Sequence, residues 1–260
     1  MPQSEYEMLL MEKNRHKMQF DTEICKDATF EDISIKKVKW YLKEREKERN
    51  VSQKIKISVK RLLINLKCLQ DNKPTNAEIL FFGKNPQRFM ANARLRVIKF
   101  KGNDIINPTL DSATCEGTIP EMIELSEDFI RKNIRLLSTR REESFRREDK
   151  FEYPIKAVRE AVINALIHRN YFETGDVRVF IFDNRIEIIN PGSFPKGGTP
   201  KRPKHKPVNE ILCQLVYDIG LIEKYGSGIR MMKLLSKEWG NKEPYYDLDP
   251  IESKIIFESQ

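Results

Sequence analysis

Cysteine is sparse and scattered in this chain. Cys25, Cys68, Cys115 and Cys213 are its four thiols in 260 residues, and neighbours stand at least 43 positions apart. No CxxC pair exists to clip a zinc ion or to run dithiol chemistry, which excludes a zinc- or cysteine-dependent enzyme and leaves buried free thiols as the expected state. Long apolar runs are also missing. No stretch of hydrophobic residues exceeds four, as in Val179 to Phe182, whereas a membrane-spanning helix needs about 20 mostly apolar residues. The first twenty residues mix charge into every turn and show no apolar core followed by small residues, so they do not read as a secretion signal. A soluble, cytoplasmic chain with no membrane partner is the expectation.

What the chain does contain is enough apolar matter for one large core or two smaller ones: 39% of the residues are hydrophobic. One third of all residues are charged, and Lys plus Arg outnumber Asp plus Glu by 47 to 39, a formal charge of +8. That excess suits a polyanionic partner such as DNA or the phosphates of a nucleotide, although most of these charges belong to solvated surface.

The order of patterns along the chain is α+β. Residues 1–20 read as a Met-rich helical extension without a clear core face. Ser34 to Asn50 is a charged helix, and from Ser52 to Leu69 the residues Ile55, Val59, Leu62, Leu63, Leu66 and Leu69 recur at helical spacing. Asp71 to Pro74 is a turn cluster, Thr75 to Phe82 a short helix stopped by Gly83, and Arg94 to Phe100 alternates like a strand. A further amphipathic helix is expected over 119–137, followed by the charged run RREESFRREDK, which reads as a linker or solvated helix face, or as a phosphate contact. These patterns divide the chain into the extension 1–20, an N-terminal α+β segment 21–112 and a C-terminal domain 113–260.

Within the last part, Pro154 opens the helical run IKAVREAVINALIHRNY. At about 100° per residue, Glu160, Asn164 and His168 fall at about 0°, 40° and 80°, a narrow polar ribbon flanked by Ile163 and Ile167. Either this ribbon faces water, or it is held inside, where a carboxylate and an amide need partners or an ion to offset several kcal/mol of lost hydration. Two β-rich runs, DVRVFIF and RIEIIN, meet at Asp183-Asn184 as a tight hairpin and end in Asn190-Pro191-Gly192. A Pro/Lys/Gly loop, a helix over 208–222, and Gly226-Ser227-Gly228 at the head of a last helix follow. Glycines at a helix N-terminus let backbone N–H groups approach phosphate oxygens.

This order resembles the GHKL ATP-binding fold of gyrases, heat-shock chaperones, histidine kinases and MutL-type repair proteins. More closely, REAVINALIHRNY, RIEIINPGSFP and IGLIEKYGSGIRMM are similar to the GHKL-type domain of RecG-related or Schlafen-AlbA-type transcriptional regulators. The resemblance extends over about 21–258, through TNAEILFFGKNPQ and the FKG at 100–102. It implies a Bergerat-type α/β sandwich that holds ATP and Mg²⁺ between sheet, helices and a lid. Glu160 would polarise the attacking water, Asn164 would ligate Mg²⁺, and Gly192 would let the backbone pass close to adenine. Gly226, Ser227 and Gly228 would cradle phosphates, and the lid would span Lys201 to Lys206. His168 is either a structural histidine or a phosphate contact.

One departure stands out: Asn190 takes the place of the Asp that accepts a hydrogen bond from the adenine amino group. An amide oxygen still accepts, but it carries no charge and a competing NH₂ lies beside it. The helicase label does not carry over as an activity, because the chain lacks the GxxxxGK[ST] loop of a helicase motor. The resemblance also places the start of this chain near the C-terminal edge of a preceding DNA-binding domain. Two functions follow as expectations: a weakly hydrolytic, nucleotide-gated module of a DNA-associated regulator, which could dimerise, or a nucleotide-free scaffold for DNA or protein.

Overall fold

A computed structural model describes residues 19–49, 58–140, 147–192, 194, 198–200, 207–222 and 227–259. Residues 1–18 of the expected extension over 1–20, the lid segment Lys201 to Lys206, and Gly226 lie outside the described residues. Helices α1 (Ile35–Arg49), α2 (Val59–Asn65) and α3 (Asn76–Phe82), with the two-residue strands β1 (Leu69–Gln70) and β2 (Lys73–Pro74), build the N-terminal segment. Then come β3 (Leu95–Phe100), β4 (Thr109–Cys115), α4 (Ile119–Asn133), β5 (Leu136–Arg140), β6 (Arg147–Phe151) and α5 (Ile155–His168). The chain closes with β7 (Val177–Ile181), β8 (Arg185–Pro191), α6 (Glu210–Asp218), α7 (Gly228–Trp239), β9 (Tyr245–Leu248) and β10 (Glu252–Glu258).

Six strands form one mixed sheet in the order β4-β3-β7-β8-β10-β9, in which only β3 and β7 run parallel. Strand alternation sorts the side chains. Leu95, Val97, Val177, Val179, Ile186, Ile188, Ile255 and Phe257 share one face and are buried beneath α4 and α5. On the opposite face, Arg178 pairs with Glu252, and Arg185 and Lys254 both reach Glu187. The architecture is thus α+β, with a helical layer on one side of the sheet. The expected division at residue 112 falls within β4, so strands on both sides of it share the sheet.

Several elements depart from the sequence expectation. Helix α4 begins at a Thr118–Glu121 capping box but stops at Asn133, and Leu137 belongs to β5. The charged run after it is neither linker nor helix face where it is described: Arg140 and Arg147–Lys150 lie in a β5–β6 hairpin. Backbone pairing tolerates charged side chains, which is why the polar composition hid these strands. Helix α6 is shorter than 208–222, since Asn209 holds its N-cap and Gly220, at φ +71, turns the chain soon after Asp218.

The N-terminal segment grips the helical layer through buried polar groups. Asp21 is fully buried, and its Oδ2 accepts from the N–H groups of Ile211 at 2.7 Å and Leu212 at 3.3 Å. A residue far away in sequence therefore caps the open amides at the head of α6. At the other end of α6, Asp218 accepts from the Tyr41 hydroxyl of α1 at 2.6 Å and pairs with Arg45 at 3.3 Å.

Helix α3 is buried along its whole length, including Glu78, neither of whose carboxyl oxygens has a hydrogen-bond partner among the described residues. Burial pushes this carboxyl up from 4.5 to about 8, so it is neutral at pH 7. The unfolded chain ionises at the ordinary value, so stability is lost progressively as pH rises from about 4.5 to 8. Glu78→Gln is therefore expected to stabilise the protein, with a gain that widens between pH 5 and pH 8 in urea titrations. Equal stability of variant and wild type at pH 8 would contradict the buried neutral carboxyl.

Candidate functional site

Helix α5 is apolar on nearly all sides, because it lies between the sheet and the helices around it. Val158, Val162 and Leu166 are buried, and so are Ile163 and Ile167, which flank the polar ribbon. The ribbon does not face water at its start: Glu160 is only 5% exposed. Asn164, half-buried one turn on, donates its amide to Glu160 Oε1 at 3.1 Å, which turns its own Oδ1 away as an acceptor.

The head of α7 meets this pair. A Cβ added to Gly228 would fall deep inside contact distance of Glu160 Oε1 and 3.2 Å from Asn164 Nδ2. Only a residue without a side chain lets the helix end come this close. The carboxylate of Glu160 thereby lies at the positive end of the α7 dipole, a position that favours negative charge. Ser227, at the N-cap of α7, makes no side-chain capping bond.

The sheet side of the site comes from β8, β9 and β10. Asn190 lies on the helix-facing surface of β8, directly opposite Ser253 in the ladder, and its buried Oδ1 has no hydrogen-bond partner among the described residues. Tyr246, two residues from the position on β9 that pairs with Ser253, packs edge-on against Phe194, with ring centroids 5.9 Å apart. Burial, with the nearby charge of Glu160, raises the Tyr246 hydroxyl. The tertiary structure thus brings together Glu160, Asn164, Gly228 and Tyr246, and it leaves an unsatisfied acceptor at Asn190.

The remaining expected residues are placed differently. His168 is exposed at the end of α5 and makes no hydrogen bond among the described residues, and the protein around it lowers its imidazole pKa by desolvation. Gly192 adopts φ +98, which favours glycine, and donates its N–H to Ile251 at 2.8 Å. The side facing its missing Cβ is occupied by Asn170 at 3.4 Å and Glu173 at 3.9 Å.

Residues that carried no sequence signal hold the site in place. Asn209, fully buried, donates to the carbonyls of Ile167 and Arg169, both at 2.9 Å, and so ties the end of α5 to the start of α6. Arg169, also fully buried, donates to the carbonyls of Asn92, Glu173 and Gly175. Ser253 could have been found only once strand pairing was known, since its link to Asn190 is a matter of register.

Residues 175–257 match the family model described as "Putative ATP-dependent DNA helicase recG C-terminal", and residues 9–96 match a "Domain of unknown function (DUF8451)". The first span contains Asn190, Gly192, Ser227, Gly228 and Ser253, and helix α5 with Glu160 and Asn164 precedes it. Among solved structures, the chain is similar to the DIP2311 protein from Corynebacterium diphtheriae at 19% identity and a TM-score of 0.72. The match covers 95% of this chain and 49% of the other, so the chain spans about half the length of that protein. At this identity the likeness concerns the fold. No curated protein matches.

The closeness of Gly228 to Glu160 predicts the effect of a methyl group there. Gly228→Ala must displace the buried Glu160 carboxylate, an overpacking expected to lower stability by about 1–3 kcal/mol in thermal unfolding and to shift the amide resonances of Glu160 and Asn164. Unperturbed resonances would show that α7 does not abut α5.

Proposed function

Since residues 175–257 carry the RecG-associated C-terminal ATPase-like domain, we propose that this chain is an ATP-binding module of the GHKL type. The observation that carries the reading is the unpartnered Asn190 Oδ1, buried on the helix-facing side of β8. A buried acceptor without a partner costs about 1–3 kcal/mol, and an adenine amino group would satisfy it. Ser253, opposite it in the ladder, supplies a hydroxyl on the same face. The donor set on α5 and α7 suits the rest of a nucleotide: backbone N–H groups at a helix head for phosphate, and the Asn164 amide oxygen as a hard ligand for Mg²⁺. Mg²⁺, when bound, would neutralise charge on the phosphates. Glu160 would accept the proton of an attacking water, a role suited to a carboxylate held at the head of α7. The basic balance of the chain and the regulators it resembles extend the reading to a cytoplasmic, DNA-associated regulator, in which nucleotide occupancy changes domain orientation or self-association.

A second reading, a nucleotide-free scaffold, is favoured by two features. Asn190 offers adenine an uncharged acceptor, and the Glu160 carboxylate already lies where α7 would receive a phosphate.

Thermal denaturation with nucleotide separates the two readings. Mg-ATP at 100 times its dissociation constant is expected to stabilise the fold by about 2.7 kcal/mol, a shift of several degrees for a chain of this size. An unchanged melting temperature at millimolar Mg-ATP would favour the scaffold, and Asn190→Asp then asks whether the amide is the sole defect.

The two α5 residues should separate in their effects. Glu160→Gln is expected to keep ATP binding and lower hydrolysis by about 10² to 10⁴, while Asn164→Ala weakens binding of the metal–nucleotide complex. Equal affinity of wild type and Asn164→Ala for Mg-ATP, measured by calorimetry, would remove Asn164 from the metal site.

A further inference from the structure

Helix α1 presents two unlike sides. Its inner side is fully engaged: Val38 and Tyr41 are buried without residual exposure, and Lys37 donates to the Gly83 carbonyl at 3.0 Å and to Glu121 at 2.7 Å. Its outer side carries Lys36, Lys39, Trp40, Lys43 and Lys47, all exposed. By helical spacing these five fall within an arc of about 100°, over about 16 Å of helix axis.

The charges on this ridge are of one sign and only partly compensated. Lys47 lies 3.7 Å from Glu44, but Lys36, Lys39 and Lys43 have no acidic partner among the described residues. At helical spacing Lys stands against Lys at 36 with 39, 39 with 43 and 43 with 47, and acidic residues enter only toward the end of the helix, at Glu44, Glu46 and Glu48. Like charges at these spacings destabilise a helix, so the ridge gains from an external anion. Trp40 stands among these lysines with 37% of its surface exposed. The chain's other tryptophan, Trp239, donates its indole N–H to the Phe151 carbonyl at 2.7 Å, and the Lys150 ammonium lies over its ring.

We propose that the outer ridge of α1 binds single-stranded nucleic acid, with Lys36, Lys39 and Lys43 on phosphates and Trp40 stacked on an unpaired base. Charge complementarity selects a polyanion, and an exposed indole between ammonium groups selects one whose base faces are open, which a duplex does not offer along its length. An anionic membrane is the poorer fit, because an interfacial helix inserts its apolar side and that side of α1 is already spent on the core. The inference deepens the DNA-associated part of the proposed function, yet it shares no residue with the nucleotide site.

The test uses the full chain and a fluorescein-labelled oligo(dT), with anisotropy read from 50 to 200 mM salt in the absence of nucleotide. The Lys36→Glu/Lys39→Glu/Lys43→Glu variant is expected to flatten the slope of log K against log salt by about 2, from about 0.7 per lost phosphate contact. Trp40→Ala is expected to weaken binding on the order of tenfold with the slope retained. In Trp239→Phe, where Trp40 is the remaining tryptophan, oligo(dT) should quench the intrinsic fluorescence. Circular dichroism of each variant establishes that the helix is intact, and Lys→Gln versions replace any charge-reversed variant that fails to fold. An unchanged salt slope in the triple variant, equal binding of duplex with Trp40→Ala neutral, or quenching by phosphatidylserine vesicles in place of oligo(dT) would each overturn the proposal. Mg-ATP thermal shifts on the same samples report on the nucleotide site separately, so failure of one reading is distinguishable from failure of the other.

Discussion

The structure depends on keeping a carboxylate inside it. Glu160 sits on a helix that is buried on almost every side, where an unpaired charge would cost several kcal/mol. Its neighbours are arranged around that cost: Asn164 donates to it from one turn away, and the head of α7 approaches it through a residue that has no side chain. Shifting α5 would strand the carboxylate, and shifting α7 would remove the dipole that faces it. The packing of these two helices therefore includes a polar contact beside the apolar one.

The same requirement recurs at the ends of the buried helices. A helix leaves four carbonyls open at its C-terminus and four amides open at its N-terminus. Asn209 serves carbonyls at the end of α5, Arg169 serves three loop carbonyls, and Asp21 serves amides of α6. Asp21 belongs to the N-terminal segment, so the chain on either side of the β3–β4 hairpin is joined by hydrogen bonds as well as by the shared sheet. This explains how a stretch matching a domain of unknown function and a stretch matching an ATPase-like domain can share one helical layer.

Charge is distributed by the same logic. On the open face of the sheet, Arg178, Arg185 and Lys254 are matched by Glu252, Glu187 and Asp247, so that face is close to self-neutralised. The outer ridge of α1 is not, and the excess of lysine there is one of the places where the overall charge of +8 becomes local. A net charge states that a polyanion is welcome; the pairing pattern states where.

The sequence by itself determined what local pattern can determine. A charged run placed α1, turn and glycine signals bounded α3 and α7, apolar spacing placed α5, alternation placed β3 and β-rich runs placed β7 and β8, and the combined order of motifs resembled that of GHKL-type ATP-binding domains. It also set Glu160 and Asn164 on one side of one helix, because a period of 3.6 residues is a local property. Tertiary structure decided the rest. The β5–β6 hairpin was hidden because paired backbones tolerate charged side chains, and the joins of β3 to β7 and of β8 to β10, which bring the β3–β4 and β9–β10 hairpins into one sheet, link strands distant in sequence. Whether the α5 ribbon faces water or the interior is not written in α5; it follows from what packs against it. The partnership of Asn190 with Ser253, the approach of Gly228 to Glu160 and the capping of α6 by Asp21 each join residues 60 or more positions apart. Such contacts depend on strand register and helix docking, which no single stretch of sequence contains.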